Sequence, residues 1–483
     1  MKGMSLPTAF PLAFSWRSAR AVAALAGPLI LTQLAQVAVS TTNIVMMGLL
    51  GAKEVAAGGL AAILFNQLRT MGVGVVTATG NLVASANGAL QTNPNGSRQT
   101  NGALQAKANG SGNPTEIRDL VRASFASATL IGLAFALLMA AGGGLLRYAG
   151  QDESVVTLAA GYLQAAAPGM LPCLWFQSLR NYTVGLKRPG PLLAITILSV
   201  GLNLLGNYAL MFGHFGLPAL GLTGIALSSS VVYLASFLCF LVVVRRDPIL
   251  REHLSLAAWR SSSVALVRTW KLGLPIAATY GSEAAFFTVL TLIIGTLGAN
   301  ALAAQAIANQ VIYIVFMISV GLSHASSISI SQATAQGDYA EARRLGHSGL
   351  ALGLAAMAVV ALLYLVAPGW VIAPFLDARA ATNAEAVRLA TSLLAIAALL
   401  QFFDCSQNIG VGLLRGLGDT KRPFGLSLIG YWLIGLPCAY GFGVLLGYGL
   451  NGIWLGLLIG LASTAALLLR GFSQQLRRLE LAA

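Results

Sequence analysis

Two carboxylates stand where a carboxylate is costly. Glu283 lies in the middle of the apolar run Lys271–Leu297 (KLGLPIAATYGSEAAFFTVLTLIIGTL), and Asp404 lies in LLQFFDCSQNIGVGLLRG. The other thirteen of the chain's fifteen Asp and Glu fall in loops, tails or at the ends of apolar runs. An ionisable side chain at bilayer depth is expensive, and by default it marks a site facing a protein interior or a water-filled cavity. A low dielectric disfavours the naked anion. Such a carboxylate is neutralised by a proton, by Na⁺ or by a lipophilic organic cation. If these guests compete for Glu283 and Asp404, occupancy becomes mutually exclusive, and exchange follows as the protein alternates between states. Tyr280, Phe286 and Phe287 fall within a turn of Glu283, where cation–π attraction would add to the charge.

Other polar residues recur at helical spacing inside apolar runs. Gln401, Asp404 and Asn408 share one face, and Gln305, Asn309 and Tyr313 recur every four residues. Such stripes serve either as interhelical hydrogen bonds or as cavity lining. Both readings stay open for Gln305 and Asn309. The first half of the chain has no carboxylate in an apolar run. It offers Gln33, Gln36, Ser40 and Asn43 in the first run, Arg180 and Asn181 in the fourth, and the i,i+4 pair Asn203 and Asn207 in the fifth. Arg180 reads as a structural charge; Arg69 is left unexplained by the sequence, with a cavity-facing charge that repels cations as one option. Phe402, Phe403 and Met317, with Phe286, Phe287 and Tyr313, would form adaptable walls for many substrates. His324, among Ser323, Ser326 and Ser327, reads as a packing histidine. Cys173, Cys239, Cys405 and Cys438 are scattered without CxxC spacing and read as small hydrophobes. No HExxH, GxSxG or clustered His/Cys set points to an enzyme.

The elements that must position these residues are membrane helices. A composition of 57% hydrophobic and 9% charged residues excludes a soluble globular protein. Twelve spans are expected, at 21–49, 56–86, 121–146, 155–186, 190–212, 220–244, 269–297, 302–331, 346–367, 386–414, 423–446 and 450–470. The first is too long for a cleaved signal peptide. Pro28, Pro172, Pro275 and Pro437 are kink positions. With the N-terminus inside, 23 of the 29 Lys and Arg fall on the cytoplasmic side. Only Lys53, Arg147, Arg379 and Arg388 fall opposite, so both termini are expected in the cytoplasm. The net charge of +14 therefore reflects topology and no nucleic-acid partner is expected.

The halves resemble each other. Gly48–Ala52 (GLLGA) matches Gly295–Ala299 (GTLGA), and Gly221-Leu222-Thr223-Gly224-Ile225 matches Gly449-Leu450-Asn451-Gly452-Ile453. Six spans per half, each half starting on the same side, imply parallel repeats with substrate handled between them. The expectation is an all-α membrane protein of twelve transmembrane helices in two six-helix lobes related by a parallel internal repeat. The lobes would be residues 1–244 and 269–483, joined by a basic cytoplasmic loop at 245–268. Asn87–Thr100 and Asn101–Pro114 are a tandem duplication, identical at eight positions, inside a flexible cytoplasmic insertion at 87–117.

Taken in order, AQVAVSTTNIVMMG, WFQSLRNYTVGLKRPGP, LNLLGNYALMFGHFGLPALGLTGIA, GLPIAATYGSEAAFF, FFDCSQNIGVGLLRGLGDTKRP and YWLIGLPCAY resemble the multidrug and toxic compound extrusion (MATE) family, NorM-type branch, nearly end to end. The resemblance implies a secondary antiporter that exports organic cations, such as drugs and dyes, against inward Na⁺ or H⁺. It implies no other cofactor. By position, the family's acidic residues in the seventh and tenth spans match Glu283 and Asp404, and its polar pair in the fifth matches Asn203 and Asn207. Where the family usually has Asp in the first span, this chain has Asn43. Asn43, Gln36, Asn203, Asn207, Asn181, Gln305, Asn309 and Asn408 are expected to line the cavity. Tyr280, Phe286, Phe287, Tyr313, Phe402 and Phe403 are expected to contact substrate. The alternative is a lipid-linked sugar flippase of the same wider superfamily, which would favour a basic cavity. A multi-pass monomer in the cytoplasmic (inner) membrane is expected.

Overall fold

The computed structural model describes residues 15–92, 114–147, 153–190, 192–373 and 384–482. Twelve helices in it are long and apolar enough to cross a bilayer. They are α1 (Trp16–Leu50), α2 (Ala52–Thr92), α3 (Pro114–Arg147), α4 (Glu153–Gly185), α5 (Leu192–Phe212) and α6 (Gly221–Arg246) in the first half. The second half has α7 (Ser263–Gly295), α8 (Ala299–Ala335), α9 (Tyr339–Val366), α10 (Ala384–Gly416), α11 (Lys421–Leu445) and α12 (Gly449–Ala482). The helical form follows from the solvent. With no water in the bilayer core, each backbone group must be satisfied within its own segment.

Several helices outrun the spans read from hydropathy. α2 continues through Asn87–Thr92 and α3 starts at Pro114, so the ends of the expected flexible insertion are helical. A hydropathy window stops at the polar end of a helix, whereas the backbone ladder continues into water. The central part of the duplicated segment, 93–113, lies outside the described residues. The loop between the halves also carries structure. Asp247 accepts from the Ile249 and Leu250 amides at 2.9 and 3.1 Å and caps a short helix, Pro248–His253. Those amides, Leu250 foremost, and Arg188 hold the Asp247 carboxyl below its usual range.

The two halves touch at one end of the bundle. Three buried cores account for this. The largest draws on both halves, from Val22–Leu29 and Leu82–Ala86 to Leu322–Ala333 and Ile409–Leu417. The second is built from α1–α6 with Ala277 added, and the third lies wholly within α7–α12. Crossing contacts run between α2 and α7, α1 and α8, α2 and α8, α1 and α9, and α3 and α7. Small residues permit the closest of them. A Cβ on Gly74 would sit 2.6 Å from the Ala277 Cα, and one on Gly273 would collide with the Val75 carbonyl. Small-residue contacts of this kind are how membrane helices associate without a hydrophobic driving force.

Polar bonds add to the junction. Asn81 Nδ2 donates to Ser327 Oγ at 2.7 Å and to Ser331 Oγ at 2.9 Å. Gln91 Oε1 accepts from both Gln332 and Gln336, and Ser18 Oγ donates to Glu341 at 3.0 Å. All these residues lie near the start of α1 or α9 or the end of α2 or α8, so these bonds gather at that end. α11 departs from the α-helical ladder. It contains π-helical turns at Ile429–Gly435 and Gly441–Leu445, on either side of Pro437 and Tyr440. Such turns shift the register of every side chain beyond them.

Candidate functional site

α7, α10 and α11 bring the two membrane carboxylates together. Glu283 on α7 is half-buried, and its carboxylate interacts with Asp404, Gln407 and Tyr431. Asp404 is 6% exposed and accepts a hydrogen bond from Gln407 Nε2 at 3.3 Å. The amide of Gln407, one turn beyond Asp404, therefore lies between both acids. The hydroxyl of Tyr431 faces the same group from the first π-helical stretch of α11 and interacts with Glu283 and Gln407. Among the described residues neither carboxylate forms an ion pair with a basic side chain. Gln401, one turn before Asp404, is buried with both amide atoms unpartnered. Two anions, an amide and a phenol with unused oxygens form a donor set for a small cation.

Aromatic packing holds this group in place. Phe286 is fully buried and stacks on Tyr431, with ring centroids 5.1 Å apart and planes 16° from parallel. Phe287 and Trp432 meet Phe286 edge-on at 5.7 and 6.2 Å. The Trp432 indole donates to Ser282 Oγ at 2.9 Å, tying α11 to α7 next to Glu283. Phe286 is thus a packing residue of the core rather than an open wall. Phe287, Phe402 and Phe403 are only partly buried on the same core.

The first half encloses a cavity of about 360 Å³ bordered by Gln36, Asn43, Asn203, Arg69, Gln177 and Tyr233. Its far wall is a hydrogen-bonded network. Asn207 Nδ2 donates to Asn43 Oδ1 at 2.8 Å and to Asn203 Oδ1 at 3.3 Å. Asn43 and Asn203 each donate to Ser229 Oγ, at 3.1 and 3.3 Å. Asn43 serves here as both acceptor and donor, which a carboxylate cannot do. Asn207 is fully buried behind Asn43 and Asn203.

Four sequence-derived positions have other surroundings. Gln305 accepts from the buried Trp454 indole, which links α8 to α12. Asn181 Nδ2 donates to the Val76 carbonyl at 3.2 Å and joins α4 to α2. Tyr280 sits a turn nearer the junction than Glu283, and its hydroxyl accepts from Arg415 at 3.2 Å. Tyr313 projects from α8 toward Arg69 of the first half and is 43% exposed. Each of Gln305, Asn181 and Tyr280 thus has one polar atom held by a neighbouring helix. Asn309 and Asn408 are half-buried, and the Asn408 carbonyl accepts from Ser323 at 2.7 Å.

Gln407 and Tyr431 were not singled out by sequence reasoning. Gln407 has a signal in hindsight, since it lies at i+3 from Asp404; Tyr431 has none. Arg415, expected at a cytoplasmic span end, is 2% exposed and donates to Ser327 Oγ at 3.1 Å.

A twelve-helix bundle in two parallel lobes, with a carboxylate pair inside one and a cavity inside the other, defines a polytopic membrane transporter class. The chain belongs to the MatE family, whose profile matches residues 102–209 and 275–441, and within it to the NorM-type branch. It is 39% identical over 461 residues to the probable multidrug resistance protein NorM of Pseudomonas aeruginosa, covering 95% of this chain and 90% of that one. It is 36% identical over 464 residues to the protein of the same name from Rhizobium meliloti, covering 96% and 95%. The fold matches the crystal structure of the eukaryotic MATE transporter AtDTX14 with a TM-score of 0.80 at 19% identity, over 96% of this chain and 98% of that one. It also matches an outward-facing multidrug resistance MATE family transporter, with a TM-score of 0.82 at 18% identity over 97% and 98%.

Proposed function

We propose that this protein is a secondary multidrug efflux antiporter that exchanges organic cations for inward Na⁺ or H⁺. The observation that carries this reading is the Glu283–Asp404 pair, which shares Gln407 and has no basic partner among the described residues. Two adjacent anions, one of them buried, call for a counter-charge. A proton or Na⁺ supplies it in one state, and the amine of a drug or dye in another. The unpartnered oxygen of Gln401 and the Tyr431 hydroxyl beside Glu283 are suited to complete the shell of a small ion. The likeness to probable multidrug resistance proteins supports drugs as the cargo.

The moving bodies are residues 1–244 and 269–483, with 245–268 as their connection. The junction of the lobes is the end that carries the excess of Lys and Arg, which the positive-inside rule assigns to the cytoplasm. On this reading the lobes meet at their cytoplasmic end, and rocking about that junction would alternate the access of the carboxylates between the two sides. A carboxylate pair favours cations over the pyrophosphate of a lipid-linked sugar.

The test uses purified protein in liposomes loaded with a fluorescent cationic dye. A Na⁺ gradient and a proton gradient are imposed one at a time. Efflux driven by one and lost in Glu283→Gln and Asp404→Asn is expected. Wild-type efflux from both folded variants would end this reading.

A further inference from the structure

We infer that the junction of the two halves holds a site for a small anion of the chloride type, bound between Arg415 and Thr420, and that this anion pins the halves together. A cavity of about 30 Å³ lies there. Asn81 and Ser85 of α2 border it from the first half, and residues of α7, α8, α10 and the turn into α11 border it from the second. Two of its polar side chains are buried with an atom left over. Arg415 is 2% exposed; its Nε donates to Ser327 Oγ, its Nη1 donates to the Tyr280 hydroxyl, and its Nη2 has no partner. Thr420 is 4% exposed, and its hydroxyl has no partner either.

Charge decides between a water and an anion as the guest. No Asp or Glu borders the cavity, and among the described residues Arg415 forms no ion pair. Asp419, next to Thr420, accepts from the Arg422 amide at 3.1 Å and is not part of the wall. Arg268 also borders the cavity, and its Nη1 donates to Glu116 at 2.7 Å. Arg180, on α4 of the first half, is buried and likewise forms no ion pair among the described residues. His324 interacts with both Arg180 and Arg415, so the two guanidiniums, one from each half, lie in one neighbourhood. A guanidinium keeps its charge at physiological pH, and a buried charge without a counter-charge is costly. A water would satisfy the free N–H and hydroxyl but leave that charge. An anion answers both, through charge-assisted hydrogen bonds. The volume suits one atom-sized guest rather than a phosphate.

The walls come from both halves, so the site is complete only while the halves meet. A ligand that binds one state alone shifts the population toward that state. The pinning rests on the reading that the halves rock about this junction; the anion site does not.

Purified protein in nanodiscs is titrated with chloride against gluconate at constant sodium. Chloride should raise the thermal unfolding midpoint saturably, as a ligand of the folded state does. Phosphate at the same sodium concentration should not. Thr420→Val should weaken the chloride response about fivefold, the worth of one hydrogen bond. Arg415→Gln should abolish it, and Arg415→Lys, which keeps a charge at the position, should retain part of it and thereby separate loss of the site from misfolding. In crystals, bromide should give an anomalous-scattering peak beside Arg415 Nη2 and Thr420 Oγ1. Spin labels at Gln91 and Gln336, on opposite sides of the junction in a background without native cysteines, should draw together as chloride rises. No saturable chloride response, or one unchanged in Thr420→Val and Arg415→Gln, means that the cavity holds water and overturns the site. Equal stabilisation by phosphate overturns the assignment to a monatomic anion. A chloride response with fixed label distances overturns the pinning. Dye efflux enters none of these readouts, so the antiport reading and the anion site fail separately.

Discussion

Gln407 holds an unusual position for an uncharged side chain, with its amide between two acids. Donation to Asp404 and proximity to Glu283 spread the carboxylates' charge without neutralising it. On the proposed reading, the pair then depends on an exchangeable cation. Tyr431 separates two roles. Its ring stacks on Phe286 while its hydroxyl meets Glu283. Tyr431→Phe should therefore fold as wild type and bind the coupling ion severalfold more weakly, measured by isothermal titration with Na⁺ or by the pH dependence of transport. Phe286→Ala removes a fully buried ring instead and should cost about 3–5 kcal/mol of stability. Thermal unfolding in detergent separates these outcomes, and equal destabilisation by both would mean that the hydroxyl has no separate role.

The helix pairs that meet at the junction depend on what they lack. α2 and α7 approach where Gly74 faces Ala277 and Gly273 faces the Val75 carbonyl, so the contact is backbone against backbone. A larger side chain cannot be accommodated by a rotamer change there. Gly273→Leu should destabilise by about 1–3 kcal/mol through overpacking. It should also loosen the junction, read as faster labelling of a cysteine placed at Asn81. Gly27→Leu, at a position with open space around it, is the control and should change neither. α11 illustrates the opposite device. Its π-helical turns set Tyr431 against Glu283 and Trp432 against Ser282 in one short segment.

Across the whole molecule, the shared core and the polar bonds of Asn81, Gln91 and Ser18 hold one end shut. The ion pair Arg268–Glu116, at 2.7 Å, ties α7 to α3 at the same end. The ion pair is individually weak, as partly exposed pairs generally are, and interhelical hydrogen bonds in membranes are modest too. A closure built from many weak contacts is one that can also be undone. Cysteines replacing Asn81 and Ser331, in a background without native cysteines, should be bridged by a short methanethiosulfonate cross-linker. Transport should then stop and return on reduction. Undiminished transport by the bridged protein would mean that the lobes do not part at this end.

Apolar run length alone determined the twelve helices, because a bilayer leaves a spanning backbone no other way to satisfy its hydrogen bonds. Glu283 and Asp404 stood out in the sequence for a related reason: a charge in oil is costly wherever it points. Neither property depends on a neighbour. The tertiary structure decided what does. It placed Gln407 and Tyr431 with the carboxylates, turned Gln305 toward Trp454 and Tyr280 toward Arg415, and buried Arg415. Polar stripes of equal spacing become packing bonds or cavity walls according to which helix face they meet. That pairing is fixed by glycine contacts and π turns between segments far apart in the chain, beyond the reach of any local pattern.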